Sequence, residues 1–132
     1  MLLLREAYED QDVVFVSTVR GLDRLDHIEN FRVIPDCNRN KKLSTVLCAA
    51  ALFRIFLITR PQVVVTTGAL PGLLALAIGR TFGCKTIWID SIANTRAMSM
   101  SGKGAKRFAT HWISQWEDVA LEAGATYAGS VL

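Results

Sequence analysis

The stretch that most constrains this chain runs from Gln62 to Asp90. Val63-Val64-Val65 is a run of β-branched residues, the composition of a strand buried on both faces. Thr66-Thr67-Gly68-Ala69-Leu70 reads as a turn, with Gly68 free to take a positive φ. Pro71 suits the first turn of a helix, where its missing N–H has no partner to lose. Leu73 to Phe82 continues as an apolar helix, and Gly83 is placed to stop it. Lys85-Thr86-Ile87-Trp88-Ile89 is a second strand with Asp90 at its carboxyl end. The whole is one β-turn-α-β unit of the length a parallel crossover needs. Open α/β sheets bind ligands at the carboxyl ends of their strands, where helix N-termini offer free N–H groups. The functional edge is therefore expected to carry Thr67, Gly68, Pro71, Gly72 and Asp90.

A chain of 132 residues makes one domain with one core. It is 51% hydrophobic, high for a small protein. That content fits a two-faced parallel sheet, a large partner surface or membrane contact. The longest apolar run, Val46 to Ile58, falls short of the ~20 residues of a spanning helix, and the apolar start at Leu2-Leu3-Leu4 is too short for a signal peptide. Cys37, Cys48 and Cys84 have no paired metal spacing and read as reduced, packed thiols. Charge is uneven: residues 1–36 hold eight acids and four bases, whereas 37–116 hold eleven Lys or Arg and one acid, Asp90. A basic field attracts phosphates, anionic membranes or nucleic acid alike. Asp90 itself either caps a turn, pairs with a base or serves a site.

Along the chain, Leu2 to Asp10 predicts a helix, Val13 to Val16 a short strand, and Phe31 to Ile34 another, with Leu22, Leu25 and Ile28 spaced along a loop or short helix between them. A basic linker, Asn38-Arg39-Asn40-Lys41-Lys42, precedes a strongly apolar helix from Leu43 to Ile58, which Ser44 or Thr45 is placed to cap. This helix is either a core helix or one lying in a membrane surface between basic flanks. After the central unit come a loop to Met100, a helix over about 102–110, a strand at His111 to Trp116, an acidic segment from Glu117 to Ala125 and a short apolar end. Ser99 to Gly104 is rich in donors without the Walker frame, and His111 has no metal-ligand partner in sequence. The order of elements predicts a doubly wound parallel α/β sheet in a single domain, 1–132. One feature departs from that pattern. The chain opens on a helix, and the missing first strand would leave two apolar strand edges unpaired.

The runs VVVTTGALPGLLALAIGRTFGCKTIWIDSIAN, MSMSGKGAKRFATHWISQWEDVA and YAGSVL together resemble the oligosaccharide-biosynthesis proteins of the Alg-fourteen type. These are the membrane-associated halves of split UDP-sugar glycosyltransferases, the exopolysaccharide versions included. The resemblance implies a Rossmann-like N-terminal half of a GT-B enzyme. A partner chain would bind the UDP-sugar donor, while this chain would bind a lipid-linked or saccharide acceptor and recruit the partner to the inner face of the cell membrane from the cytoplasm. It implies no metal, no cofactor beyond the UDP-sugar donor substrate, and no nucleic-acid partner.

On that resemblance Thr67, Gly68, Pro71 and Gly72 form the diphosphate-facing turn, Asp90, Ser91 and Asn94 line the cleft beside it, and Ser101 and Lys103 reach the same ligand. Asp90 is the expected acceptor-binding or catalytic base residue. The family begins with a strand and a Gly-Gly-His turn that this chain lacks, so Met1 is expected to match an internal methionine of a truncated frame. Two other readings stand beside this one: a non-catalytic membrane scaffold, and a generic nucleotide-binding α/β domain, the latter weakened by the absence of G-x-G-x-x-G.

Overall fold

The computed structural model describes residues 11–21, 30–37, 40–91 and 93–129. The predicted helix at Leu2 to Asp10, the Leu22, Leu25 and Ile28 face, and Arg39 lie outside the described residues. In chain order the elements are β1 (Phe15–Ser17), β2 (Phe31–Val33), α1 (Lys42–Thr59), β3 (Val63–Thr66), α2 (Ala69–Thr81), β4 (Lys85–Ile89), α3 (Met100–Ala105), β5 (His111–Ser114), α4 (Glu117–Ala123) and β6 (Thr126–Tyr127). All strand pairs are parallel, as alternating strands and helices demand. The architecture is α/β and Rossmann-like.

One expectation changes at the level of the sheet. The described strands form two sheets, β1-β2 and β3-β4-β5-β6, rather than one. The second runs in sequence order. It carries α2 over β3 and β4, where a Cβ on Gly79 would stand 3.1 Å from Val64 Cγ2 and 3.2 Å from Thr86 Cγ2. Leu76, Trp88 and Ala105 are fully buried there, with Val64, Leu73, Phe108 and Trp112 around them. Thr86, also fully buried, is satisfied by Phe108 and Thr110, its hydroxyl donating to the Phe108 carbonyl and accepting from Thr110 N–H at 3.0 Å. Trp112 Nε1 donates to the Gly102 carbonyl at 2.7 Å and so ties β5 to α3.

α1 packs on α2 through the second cluster, Ile34, Cys37, Cys48 and Leu52 against Leu70, Leu74 and Ile78. Its buried residues Cys48, Leu52 and Phe56 recur every four positions, the spacing of one helix face. Neither Ser44 nor Thr45 caps it: Lys41 is the N-cap residue, without a side-chain cap bond, and the Thr45 hydroxyl donates back to the Lys41 carbonyl at 3.0 Å. Arg60, at φ +45, closes the other end with its N–H on the Phe56 carbonyl at 2.9 Å, and Pro61 prevents continuation. Phe82 packs its ring against Phe53 and Phe56, at centroid distances of 5.5 and 5.6 Å, and so pins α1 to the end of α2. The opposite side of α1 is bare and apolar except for Arg54, which is exposed in its midst. Leu43, Val46 and Ile58 are 75, 62 and 66% exposed, and Leu47, Phe53 and Leu57 accompany them. The helix is longer than the apolar run suggested. Its 18 residues, at mean hydropathy 1.7 and 17% buried, suffice to cross a membrane by length and composition alone.

All three cysteines are buried free thiols. Burial, with Cys37 beside it, pushes the Cys48 thiol from 9.0 up to about 12, and burial also raises Cys84. A folded-state value above the unfolded one means that the stability gained by keeping Cys48 neutral is complete below pH 9.0 and is lost as pH climbs from there toward about 12. Urea midpoints measured from pH 8 upward are expected to fall through that window, and the fall is expected to be shallower in Cys48→Ala.

Candidate functional site

The carboxyl edge of the four-stranded sheet gathers the central motif. Parallel register sets Thr66 opposite Trp88 and Ile89 opposite Ile113, so the turn after β3, Asp90 after β4 and Gln115 after β5 emerge side by side. This follows from local sequence. Each strand ends where its β-branched or aromatic run ends, and all strands point the same way.

The turn after β3 is shaped by two glycines for two reasons. Gly68 sits at φ +149, ψ −174, a region essentially closed to residues with a Cβ. Ala69 follows at φ +61, one of two described non-glycine residues with positive φ, so the bend carries backbone strain. Gly72 has an ordinary φ and is needed for space, because a Cβ there would collide with Thr66 Oγ1. The first turn of α2 thereby lies directly on the end of β3. Pro71 falls within that first turn, as expected, and the helix begins at Ala69, inside the segment read as a turn. No side chain caps α2. Leading N–H groups without a side-chain cap are of the kind an outside acceptor can take. Thr67, Gly68, Pro71 and Gly72 are all half-buried, so the bend is not sealed.

Asp90 is buried among hydrogen-bond donors. It is 1% exposed. Oδ1 accepts from Trp88 Nε1 at 3.2 Å and from Ser99 Oγ at 2.7 Å, while Oδ2 accepts from Asn94 Nδ2 at 3.0 Å and from Ser99 N–H at 3.1 Å. Its backbone is held as well: Asp90 N–H donates to the Ile113 carbonyl at 2.9 Å and Gln115 Nε2 donates to the Asp90 carbonyl at 2.9 Å. A general base must touch the proton it removes. A buried carboxylate with four donors already on it does not meet that condition in this arrangement. Its charge instead folds the loop from Ser91 to Ser99 back onto β4.

Ser99, which opens the donor-rich run noted in the sequence, has a role that reading did not assign. It takes part in the Asp90 cluster and is also the N-cap of α3, its Oγ accepting from Gly102 N–H at 2.9 Å. A serine three residues before a glycine at a helix start was the available signal. The helix consequently starts at Met100, not at Gly102, and ends at Ala105. Gly102 is in turn required by the cluster, since a Cβ there would lie 2.8 Å from Asp90 Oδ1 and from Ser99 Oγ.

The remaining expected site residues divide. Asn94 joins the Asp90 cluster, and Ser91 lies at its rim, its Oγ accepting from Ala93 N–H at 3.2 Å. Ser101 is half-buried on α3. Lys103 is placed elsewhere: it lines a cleft of about 220 Å³ between α3 and α4 with Ala97, Met98, Val119, Glu122 and Ala123, not the Gly68 turn. Gly104 is the next residue, about 100° round the helix from Lys103, and a Cβ there would stand 3.3 Å from Leu73 on α2. Farther along, Lys106 Nζ lies 5.2 Å from the centre of the Trp112 ring. Among the described residues no group of three or more His, Cys, Asp or Glu is placed to hold a metal.

No family model matches the chain, and no curated protein matches it in sequence. In fold it is similar to MurG of Acinetobacter baumannii, with a TM-score of 0.70 and 11% identity, over 97% of this chain and 38% of that one. The chain thus spans well under half of that MurG chain. At this identity the likeness shows a shared Rossmann-like α/β fold.

Proposed function

We propose that the chain is the acceptor-binding half of a UDP-sugar glycosyltransferase acting in lipid-linked oligosaccharide or exopolysaccharide synthesis. The observation that carries this reading is the uncapped first turn of α2 at Gly68 to Gly72, open at the carboxyl edge of a sheet whose fold is shared with MurG. In the reaction, an acceptor hydroxyl attacks the anomeric carbon of the sugar, the bond to UDP breaks, and the hydroxyl proton leaves to a base. The α2 N-terminus supplies N–H groups and the positive end of a helix dipole to a diphosphate. Thr67, Gly68, Pro71 and Gly72 form that cradle, and Ser91, Asn94 and Ser101 border it. Asp90 is the positioning residue that holds this border, and base work falls to a different group. The donor half is a second chain, for which the UDP-sugar is substrate and no metal is required.

The bare side of α1 supports attachment at the inner face of the membrane. Leu43, Val46, Leu47, Phe53, Leu57 and Ile58 would enter the lipid boundary, and Lys41, Lys42 and Arg60, all exposed, would meet anionic headgroups. The same face serves a purely scaffolding subunit equally well, so transfer is the property to measure. Tagged protein from its own host is expected to co-purify with a UDP-sugar-binding chain, and the pair is expected to move N-acetylglucosamine or a related hexose onto a polyprenyl diphosphate acceptor. A stable pair that floats with anionic vesicles yet transfers nothing selects the scaffold. With K41E, K42E and R60E together, flotation on phosphatidylglycerol vesicles is expected to weaken at least ~10-fold, from about 1 kcal/mol per surface charge.

A further inference from the structure

We infer that the cleft between α3 and α4 is a saccharide subsite that takes one sugar residue of the acceptor. Its floor is apolar. Met98 and Val119 are 4 and 2% exposed, and Ala97 and Ala123 flank them with side chains too small to fill the space. Its rim carries one acid and one base, Glu122 from α4 and Lys103 from α3, both exposed. Neither is in an ion pair with another described residue. The volume, about 220 Å³, lies below the ~300–1,000 Å³ of pockets for drug-sized ligands. There is room for one ring and none for a nucleotide or a lipid chain.

The two charges select the class of ligand. An anion such as a phosphate meets Glu122 as a like charge, and a cation meets Lys103 as one. A neutral polyol meets neither repulsion. Its hydroxyls both donate and accept, which matches the pair: the Glu122 carboxylate accepts from two neighbouring hydroxyls at once, and the Lys103 ammonium donates. The C–H face of a pyranose ring then covers Met98 and Val119 and leaves water. Position in the fold points the same way. Ala97 and Met98 end the loop that Asp90 holds, directly before Ser99, so the cleft begins at the border of the site. α1 packs beside α2 and α2 beside α3, and the cleft follows. Under the transferase reading α1 meets lipid and the first turn of α2 meets diphosphate. A lipid-linked saccharide carries lipid, diphosphate and sugar in that same order. Assignment to the acceptor rests on that reading; recognition of a sugar rests on the cleft alone.

Backbone amide NMR spectra of the 132-residue chain, titrated with methyl β-N-acetylglucosaminide, methyl glucoside and methyl galactoside, test it. At least one glycoside is expected to shift the Ala97, Val119, Glu122 and Ala123 amides saturably, with half-saturation on the order of 1 mM for a ligand of this size. Glu122→Gln and Lys103→Met, both at exposed positions, are each expected to raise the half-saturation at least ~5-fold. Ala123→Leu, which fills the cleft, is expected to abolish the shifts. No saturable shift at those amides overturns the inference. So do shifts confined to Gly68 to Gly72, an equal response to the zwitterion glycine, or a half-saturation unmoved in both charge variants. Inorganic pyrophosphate, titrated separately, tests the transferase reading. If it leaves the Gly68 and Gly72 amides unmoved while a glycoside occupies the cleft, that reading falls and the saccharide subsite stands.

Discussion

Asp90→Ala is expected to lower the unfolding free energy by about 3–5 kcal/mol, the range for removing one side of a buried charged network. The carboxylate is the common acceptor for Trp88 Nε1, Asn94 Nδ2, Ser99 N–H and Ser99 Oγ. Truncation leaves those donors facing a cavity at a site 1% exposed to water, and each unmade bond costs the desolvation of its donor. Asp90→Asn keeps the volume and one acceptor oxygen but turns the other oxygen into a donor facing donors. Its loss is expected to be smaller, about 1–3 kcal/mol. Urea unfolding followed by tryptophan fluorescence measures both. An alanine variant within about 0.5 kcal/mol of the parent would show that the cluster is not what holds the loop. The ordering of the two variants also separates roles in the transfer assay: a positioning residue loses activity in step with loop order, as read by amide exchange at Ser99 and Gly102.

Trp88→Ala is the second large effect, again about 3–5 kcal/mol, the usual cost of emptying a large aromatic site in a core. The indole is fully buried with Leu76 and Ala105 and has Val64, Leu73, Phe108 and Trp112 around it, so α2, α3 and β5 all lose a contact surface. Its Nε1 also donates to Asp90 Oδ1 at 3.2 Å. Trp88→Phe keeps most of the volume and removes that donor, for an expected loss of about 1–2 kcal/mol. Trp88 and Asp90 share a bond, so the Trp88→Phe and Asp90→Ala losses are expected to add to less than their sum, by 0.5 kcal/mol or more. Strict additivity would mean that the indole N–H contributes nothing to holding the carboxylate.

Much of this fold is written in short stretches. The strand-turn-helix-strand unit from Gln62 to Asp90 is legible because its signals act within a few residues: a β-branched run, a glycine where φ is +149, a proline in a first helical turn, a glycine at φ +76 after the last. Backbone dihedrals and the loss of a single N–H depend on no distant partner. The carboxyl-edge placement of Thr67, Gly68, Pro71, Gly72 and Asp90 follows for the same reason, once all strands run parallel.

What a side chain does at that edge depends on partners brought from elsewhere. Asp90 read as a lone acid in a basic field, left open between a structural and a site role, and Ser99, nine residues later, closes on it. Lys103 was read as reaching the same ligand, and its place on a six-residue helix sets it along a cleft with Val119, Glu122 and Ala123 of α4. α1 is apolar nearly all round, Arg54 being its one charged residue after the first turn, so its composition marks the packing face only weakly; contact with α2 selects Cys48, Leu52 and Phe56 and leaves Leu43 and Ile58 bare. Local sequence thus determined where the chain bends and which way each strand points, because steric limits on φ and ψ act residue by residue. Only the tertiary structure decided which polar groups are spent on one another and which apolar faces are left uncovered, because burial and hydrogen-bond partnership belong to pairs of residues that the chain brings together only when it folds.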